Sequence, residues 1–204
     1  MLSVAQLACV RGDRPLFSGL DFSLTSGACL HIAGENGAGK TSLLRMLCGL
    51  TPPEAGEICW HGQRISELAE SYRATLLYLG HHNALKDDLT ALENLRISAS
   101  LSGMPLDEDT ALDLLWRSGL ADREDLPVRV LSQGQKRRVA LARLLMSQAA
   151  LWILDEPFVA LDVAAVDWLA GVIGAHVAAG GMAVMTSHQE VTIPGAAVQV
   201  LRLS

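Results

Sequence analysis

Apolar residues in this chain form short continuous runs near both ends and recur at spacings of three and four in the middle. Leu2–Cys9, Leu20–Leu24, Ala28–Ala33 and Gly56–Trp60 are strand-like runs. Ala28–Ala33 leads straight into glycines and is the expected first core strand. Lys40 to Leu50 places Leu43, Leu44, Leu47 and Leu50 at helical spacing, and Pro52-Pro53 ends the pattern. Thr75–Leu79 predicts a second buried strand. From Leu89 to about Val130 the leucines follow helical spacing with charges between them, broken by Pro105 and Pro127, which predicts a small helical lobe. Ser132 to Ser147 is the next helix, with Ser132 as its N-cap. A strand (Leu151–Leu154), a helix (Val163–Ala179), a strand (Met182–Thr186) and a last short strand (Val198–Leu203) complete the chain. Strands alternating with helices predict an α/β fold around a parallel sheet.

Composition sharpens this picture. Half of the 204 residues are hydrophobic and the mean hydropathy is +0.28. A sheet buried on both faces accounts for part of that, and an apolar patch for a partner accounts for the rest. Trp168 to Ser187 carries no Asp, Glu, Lys or Arg and imitates a membrane span. Gly180-Gly181 interrupts it, so it reads as buried helix, turn and strand, and a membrane role requires a second chain to supply the span. The net charge is −6, which argues against a nucleic-acid partner. The one basic run, Lys136-Arg137-Arg138, reads as a solvated helix face. The four cysteines (Cys9, Cys29, Cys48, Cys59) lack metal or haem-attachment spacing and read as reduced thiols. The N-terminus has neither the basic flank nor the apolar core of a signal peptide.

Two segments carry chemistry. Gly34-Glu35-Asn36-Gly37-Ala38-Gly39-Lys40-Thr41 matches the phosphate-loop pattern and lies between a strand and a helix, as that motif requires. Its glycines let backbone N–H groups approach phosphate, and the helix starting near Lys40 points its positive end there. The Lys40 ammonium is placed to contact the β- and γ-phosphates of a nucleotide, and the Thr41 hydroxyl to ligate Mg²⁺. Leu151-Trp152-Ile153-Leu154 ends in Asp155-Glu156. Adjacent strand residues point opposite ways, so the two carboxylates take different tasks. Asp155 serves the Mg²⁺ shell and Glu156 polarises the attacking water.

Leu131-Ser132-Gln133-Gly134-Gln135 lies between these segments and resembles the LSGGQ signature of the ATP-binding cassette (ABC) family. The resemblance covers nearly the whole chain. It implies one ABC ATPase domain over residues 1–204, with a P-loop NTPase core of mostly parallel sheet flanked by helices. To this it adds an N-terminal antiparallel β subdomain and a helical subdomain inserted at about residues 82–130. It implies ATP bound by Gly34 to Thr41 and Ser42. It also implies a homodimer formed on ATP binding, in which Ser132, Gly134 and Gln135 of one chain cap the ATP held by the other. Gln133 replaces the usual glycine and adds a side chain at that seam. Val159-Ala160-Leu161-Asp162 resembles the D-loop, which crosses the dimer interface. Thr186-Ser187-His188 resembles the H-loop, with His188 on the γ-phosphate and, with Glu156, in the catalytic pair.

Two positions depart from the family pattern. The glutamine that contacts Mg²⁺ and couples to the membrane subunit falls on His81 in an ungapped count and on His82 with one gap. The aromatic residue that stacks on adenine falls on Arg11, whose guanidinium plane can also stack on a base. These departures, with GENGAGKTSLLRMLCGLTPPEAGEI, LYLGHHNALKDDLTALENL and LWILDEPFVALD, are most similar to the ATPases of the cytochrome c maturation system, the haem exporter ATP-binding subunits. That likeness implies two copies of a separate membrane-spanning B subunit and a peripheral place on the cytoplasmic face of a bacterial inner membrane. ATP hydrolysis would then drive haem export or release of a haem-loaded chaperone. The alternatives are another ABC transporter or a soluble ABC assembly machine. An ABC protein acting on nucleic acid or ribosomes would carry fused cassettes or basic extensions. A module that closes on ATP without hydrolysis does not need Glu156 and His188.

Overall fold

The computed structural model describes residues 1–189 and 191–203. Two compact units divide the chain. The first comprises Met1–Tyr78, Ala149–Pro157 and Ile173–Ser204, and the second Leu79–Gln148 and Phe158–Val172.

The first unit holds two sheets. Strands β1 (Leu2–Arg11), β2 (Arg14–Leu24), β4 (Ala55–Trp60) and β5 (Gln63–Arg64) form an antiparallel sheet in the order β2-β1-β4-β5. Strands β3 (Ala28–Ala33), β6 (Leu76–Leu79), β7 (Leu151–Leu154), β8 (Met182–Thr186) and β9 (Ala197–Arg202) form the second, in the order β6-β7-β8-β3-β9. Strands β7, β8, β3 and β9 run parallel. Helix α1 (Lys40–Leu47) packs Leu43, Leu44 and Leu47 into one core with Leu2, Leu7 and Leu24 of the antiparallel sheet and Leu30, Ile32, Ile153 and Val184 of the parallel one. Strand alternation turns Cys29 and His31 to the face of β3 opposite Leu30 and Ile32. Strand β2 begins well before the expected Leu20, because antiparallel pairing with β1 satisfies the backbone of its polar, half-exposed start. Two one-turn helices, α2 (Ile65–Leu68) and α3 (Glu70–Arg73), follow β5 in a stretch whose pattern predicts neither.

The expected charge-free stretch is a helix, α7 (Val163–Ala178), a turn at Gly180 with φ 92°, and the fully buried β8. Among the described residues no helix is long and apolar enough to cross a membrane. At its C-terminal end His176 stacks on Trp152, with ring centroids 3.8 Å apart and planes 3° from parallel, and donates from Nε2 to the Met182 carbonyl at 3.2 Å. Burial holds the His176 imidazole below its ordinary value, and the Met182 carbonyl offsets part of that. The unfolded chain therefore binds more protons than the folded one as pH falls below about 6.5. Stability is full above that value and declines as pH drops towards the folded pKa. Urea midpoints are expected to fall more steeply with acidification in the parent chain than in His176→Phe; parallel slopes would contradict this.

Cys9, Cys29 and Cys48 are buried free thiols. Burial pushes Cys29 and Cys48 up to about 12, so neither is a nucleophile at neutral pH.

The second unit contains helices α4 (Ala91–Leu101), α5 (Glu108–Arg117) and α6 (Gln133–Met146). Thr90 and Glu93 form a capping box on α4, and Asp107 caps α5. Leu92, Leu95, Leu114, Leu115, Leu120 and Val139 make a separate core. Buried Asn94 binds Lys86 through both its N–H and its carbonyl, at 2.8 and 3.0 Å, which fixes the loop before α4.

Candidate nucleotide site

In the first unit, β3 ends in the loop that turns into α1. Gly39 is the N-cap of α1, has φ 99°, and supplies no side-chain cap. The backbone there favours glycine, and a Cβ would crowd the Phe17 ring at 3.1 Å. The Leu43 N–H reaches the Gly39 carbonyl at 2.8 Å. The preceding N–H groups of the first turn have no helical acceptor and face outward from the helix start. Lys40 is only 8 % exposed, yet its ammonium donates to two carbonyls, Gly34 at 2.7 Å and Glu35 at 3.1 Å. A nearly buried cation whose partners in the described residues are neutral, beside free helix N–H groups, suits a polyanion.

The Thr41 hydroxyl donates to Asp155 Oδ2 at 2.9 Å, which ties the loop to the end of β7. The Thr186 hydroxyl donates to Asp155 Oδ1 at 2.8 Å and accepts from the Glu156 N–H at 2.8 Å. Asp155, 2 % exposed, is thus oriented through both carboxylate oxygens. Its negative charge, after burial, helps push the Tyr78 phenol up to about 12. Glu156 has φ 49°, a left-handed conformation that costs about 1 kcal/mol or more in a non-glycine residue. That turn aims its side chain to within 3.3 Å of His188 Nε2. Arg11 lies exposed at the end of β1, beside the turn into β2.

In the second unit, Ser132 is the N-cap of α6 and, with Gln135, forms a capping box: Ser132 Oγ accepts from Gln135 N–H, and Gln135 Oε1 from Ser132 N–H. Gln133 is exposed. A Cβ on Gly134 would sit 2.7 Å from the Ala160 carbonyl, so the start of α6 and the 159–162 loop touch through a glycine. Asp162 caps the next helix through Ala165 N–H, which, with the adjacent Arg138, holds its carboxyl below the usual range.

The basic run on α6 is not a free solvated face. Arg138 grips both oxygens of Asp162 at 2.9 and 2.8 Å. Arg137 is buried and donates to the Gly80 carbonyl and Asn83 Oδ1, and Lys136 lies 3.4 Å from Asp87. The helix face borders loops rich in carbonyls and carboxylates, so its cations are paired. His81 and His82 are exposed, with rings 5.5 Å apart. Thr186 and Arg138 are the polar partners that sequence reasoning missed. Only their tertiary neighbours reveal them, although the short distance from Arg138 to the signature was a usable signal.

A glycine-rich loop around a buried lysine, joined by a hydroxyl to an acidic strand end in a parallel sheet, defines a P-loop nucleoside triphosphatase. The chain belongs to the ABC transporter family, whose model matches residues 17–159, and it is an ATPase cassette of that family. It is 62 % identical to the cytochrome c biogenesis ATP-binding export protein CcmA of Dechloromonas aromatica over 203 residues, covering 100 % of both chains. The protein of the same name from Nitrosomonas europaea is 55 % identical over 100 % of this chain and 96 % of its own. That of Escherichia coli K12 is 47 % identical over 100 % of this chain and 97 % of its own. An ATP-binding subunit of an ABC transporter superimposes with a TM-score of 0.83 at 27 % identity, covering 99 % of this chain and 87 % of that one. The cassette MJ0796, in a dimeric post-hydrolysis state with ADP and Pi, shares the fold with a TM-score of 0.85 at 20 % identity, over 100 % and 94 % of the two chains.

Proposed function

We propose that the chain hydrolyses ATP as the motor of a membrane complex for c-type cytochrome biogenesis. The observation that carries the site is the Thr41–Asp155 hydrogen bond of 2.9 Å, which joins phosphate loop and acidic strand end. Lys40 and the first N–H groups of α1, with Ser42, hold the β- and γ-phosphates. Arg11 stacks on the base. Glu156 takes a proton from water as its oxygen attacks the γ-phosphorus. The bond to the β–γ bridging oxygen breaks, leaving ADP and phosphate. His188 donates to the γ-phosphate and steers Glu156.

The hydroxyl of Thr41 and the carboxylate of Asp155 are hard oxygen donors that suit Mg²⁺. Among the described residues no three His, Cys, Asp or Glu side chains gather to hold a metal on their own. Nucleotide oxygens would complete its shell. When bound, the ion neutralises charge on the β- and γ-phosphates.

Two chains dimerise on ATP binding, each presenting Ser132, Gly134 and Gln135 to the other's γ-phosphate. Two copies of a B-type membrane-spanning subunit complete the complex, and the ATPase sits peripherally on the cytoplasmic face of the bacterial inner membrane. The names of the curated relatives support the cytochrome c assignment. The work driven is haem export or release of a haem-loaded chaperone. Affinity capture of the chain from detergent-solubilised membranes tests this: a haem-exporter B subunit is expected, and a permease of another system would overturn the assignment. His81→Ala is expected to weaken stimulation by that partner several-fold while changing ATP affinity little; equal loss of both would reject a coupling role.

A further inference from the structure

Backbone pairing between β3 and β8 stops at Ile32 and Thr186. One residue beyond, the connection continues through a side chain. His31, on the opposite face of β3 from the Leu30–Ile32 core, donates from Nε2 to the Ser187 carbonyl at 3.0 Å. A carbonyl only accepts, so Nε2 carries the proton. Ser187 is buried, and its hydroxyl both donates to the Gln189 carbonyl and accepts from the Gln189 N–H, each at 2.9 Å. The backbone is thus pinned on either side of His188. Among the described residues the exposed His188 side chain meets Glu156 Oε1 at 3.3 Å. With the ring exposed, its aim depends on the backbone that carries it.

We infer that His31 is a positioning residue for ATP hydrolysis: its imidazole fixes the Ser187 carbonyl and thereby the direction from which His188 meets Glu156 and the γ-phosphate. The inference rests on the proposed roles of Glu156 and His188. His31 touches neither nucleotide nor water. Its effect falls on the chemical step, where small misplacements of a catalytic group lower the rate steeply.

His31→Phe keeps a planar ring without a donor, and His31→Gln keeps an amide N–H of similar reach. His31→Phe is expected to lower kcat about tenfold with KM for ATP within about twofold, and His31→Gln to restore most of the loss. Thermal melting of each variant checks the fold. Wild-type kcat in a folded His31→Phe chain would overturn the inference. So would equal losses in Phe and Gln variants, or a KM that rises in step with the fall in kcat. His188→Ala is measured alongside. If it retains full turnover, the reading of the site fails and the inference with it. If it is inactive while His31→Phe runs at the wild-type rate, the inference alone fails.

Discussion

The Lys40→Ala chain is expected to release phosphate from ATP at less than about a hundredth of the parent rate. Lys40 is buried, and among the described residues its ammonium donates to the Gly34 and Glu35 carbonyls. Neutral acceptors hold it in place without cancelling its charge, so the charge is available to an incoming phosphate. Alanine removes that charge and leaves the helix N–H groups to act alone. Nucleotide affinity falls with turnover, because the same group serves ground state and transition state. Lys40→Arg gives little rescue, since a planar fork does not replace a compact point charge inside a closed loop. A phosphate-release assay at saturating ATP decides it; undiminished hydrolysis would remove the assignment of this loop.

Glu156→Gln is expected to behave differently: turnover falls by about 10² to 10⁴, and ATP stays bound. The substitution is nearly isosteric. The Glu156 N–H bond to Thr186 and the left-handed turn belong to the backbone and survive it. The amide still reaches His188 but cannot accept a proton from water. Lys40→Ala therefore loses both nucleotide and turnover, whereas Glu156→Gln loses only turnover and accumulates the ATP-bound dimer. Light scattering with ATP present reads this as a doubling of the 21.8 kDa mass. A strictly monomeric chain with ATP bound would count against the reading.

Much of the fold was legible because apolar runs between glycines and prolines mark buried strands, as at Ala28–Ala33 and Leu151–Leu154. The Ser132 cap was equally plain, since a serine ahead of helical spacing has few other uses. The region Gln63–Arg73 was not legible. Its one-turn helices carry mixed polarity, and the turns at Ala69 within it and at His61 just before it use positive φ at residues that do not advertise it. The phosphate loop and Asp155-Glu156 were readable as local strings. Thr186 and His31 were not, because their meaning lies in strands brought together from distant parts of the chain. The run Lys136–Arg138 misled for the same reason: its carbonyl and carboxylate partners come from other segments of the chain.

The central claim is that each ATP is enclosed by the phosphate loop of one chain and the signature of another. Mixing two inactive chains tests it. Lys40→Ala removes the loop and keeps the signature. Ser132→Arg obstructs the signature and keeps the loop. In a mixed pair, one site combines both defects and the other has neither. Phosphate release is therefore expected to reappear on mixing, at about a quarter of the parent rate for random pairing. If the mixture stays as inactive as its components while the two chains are shown to associate, the site is not shared between chains and the account is wrong.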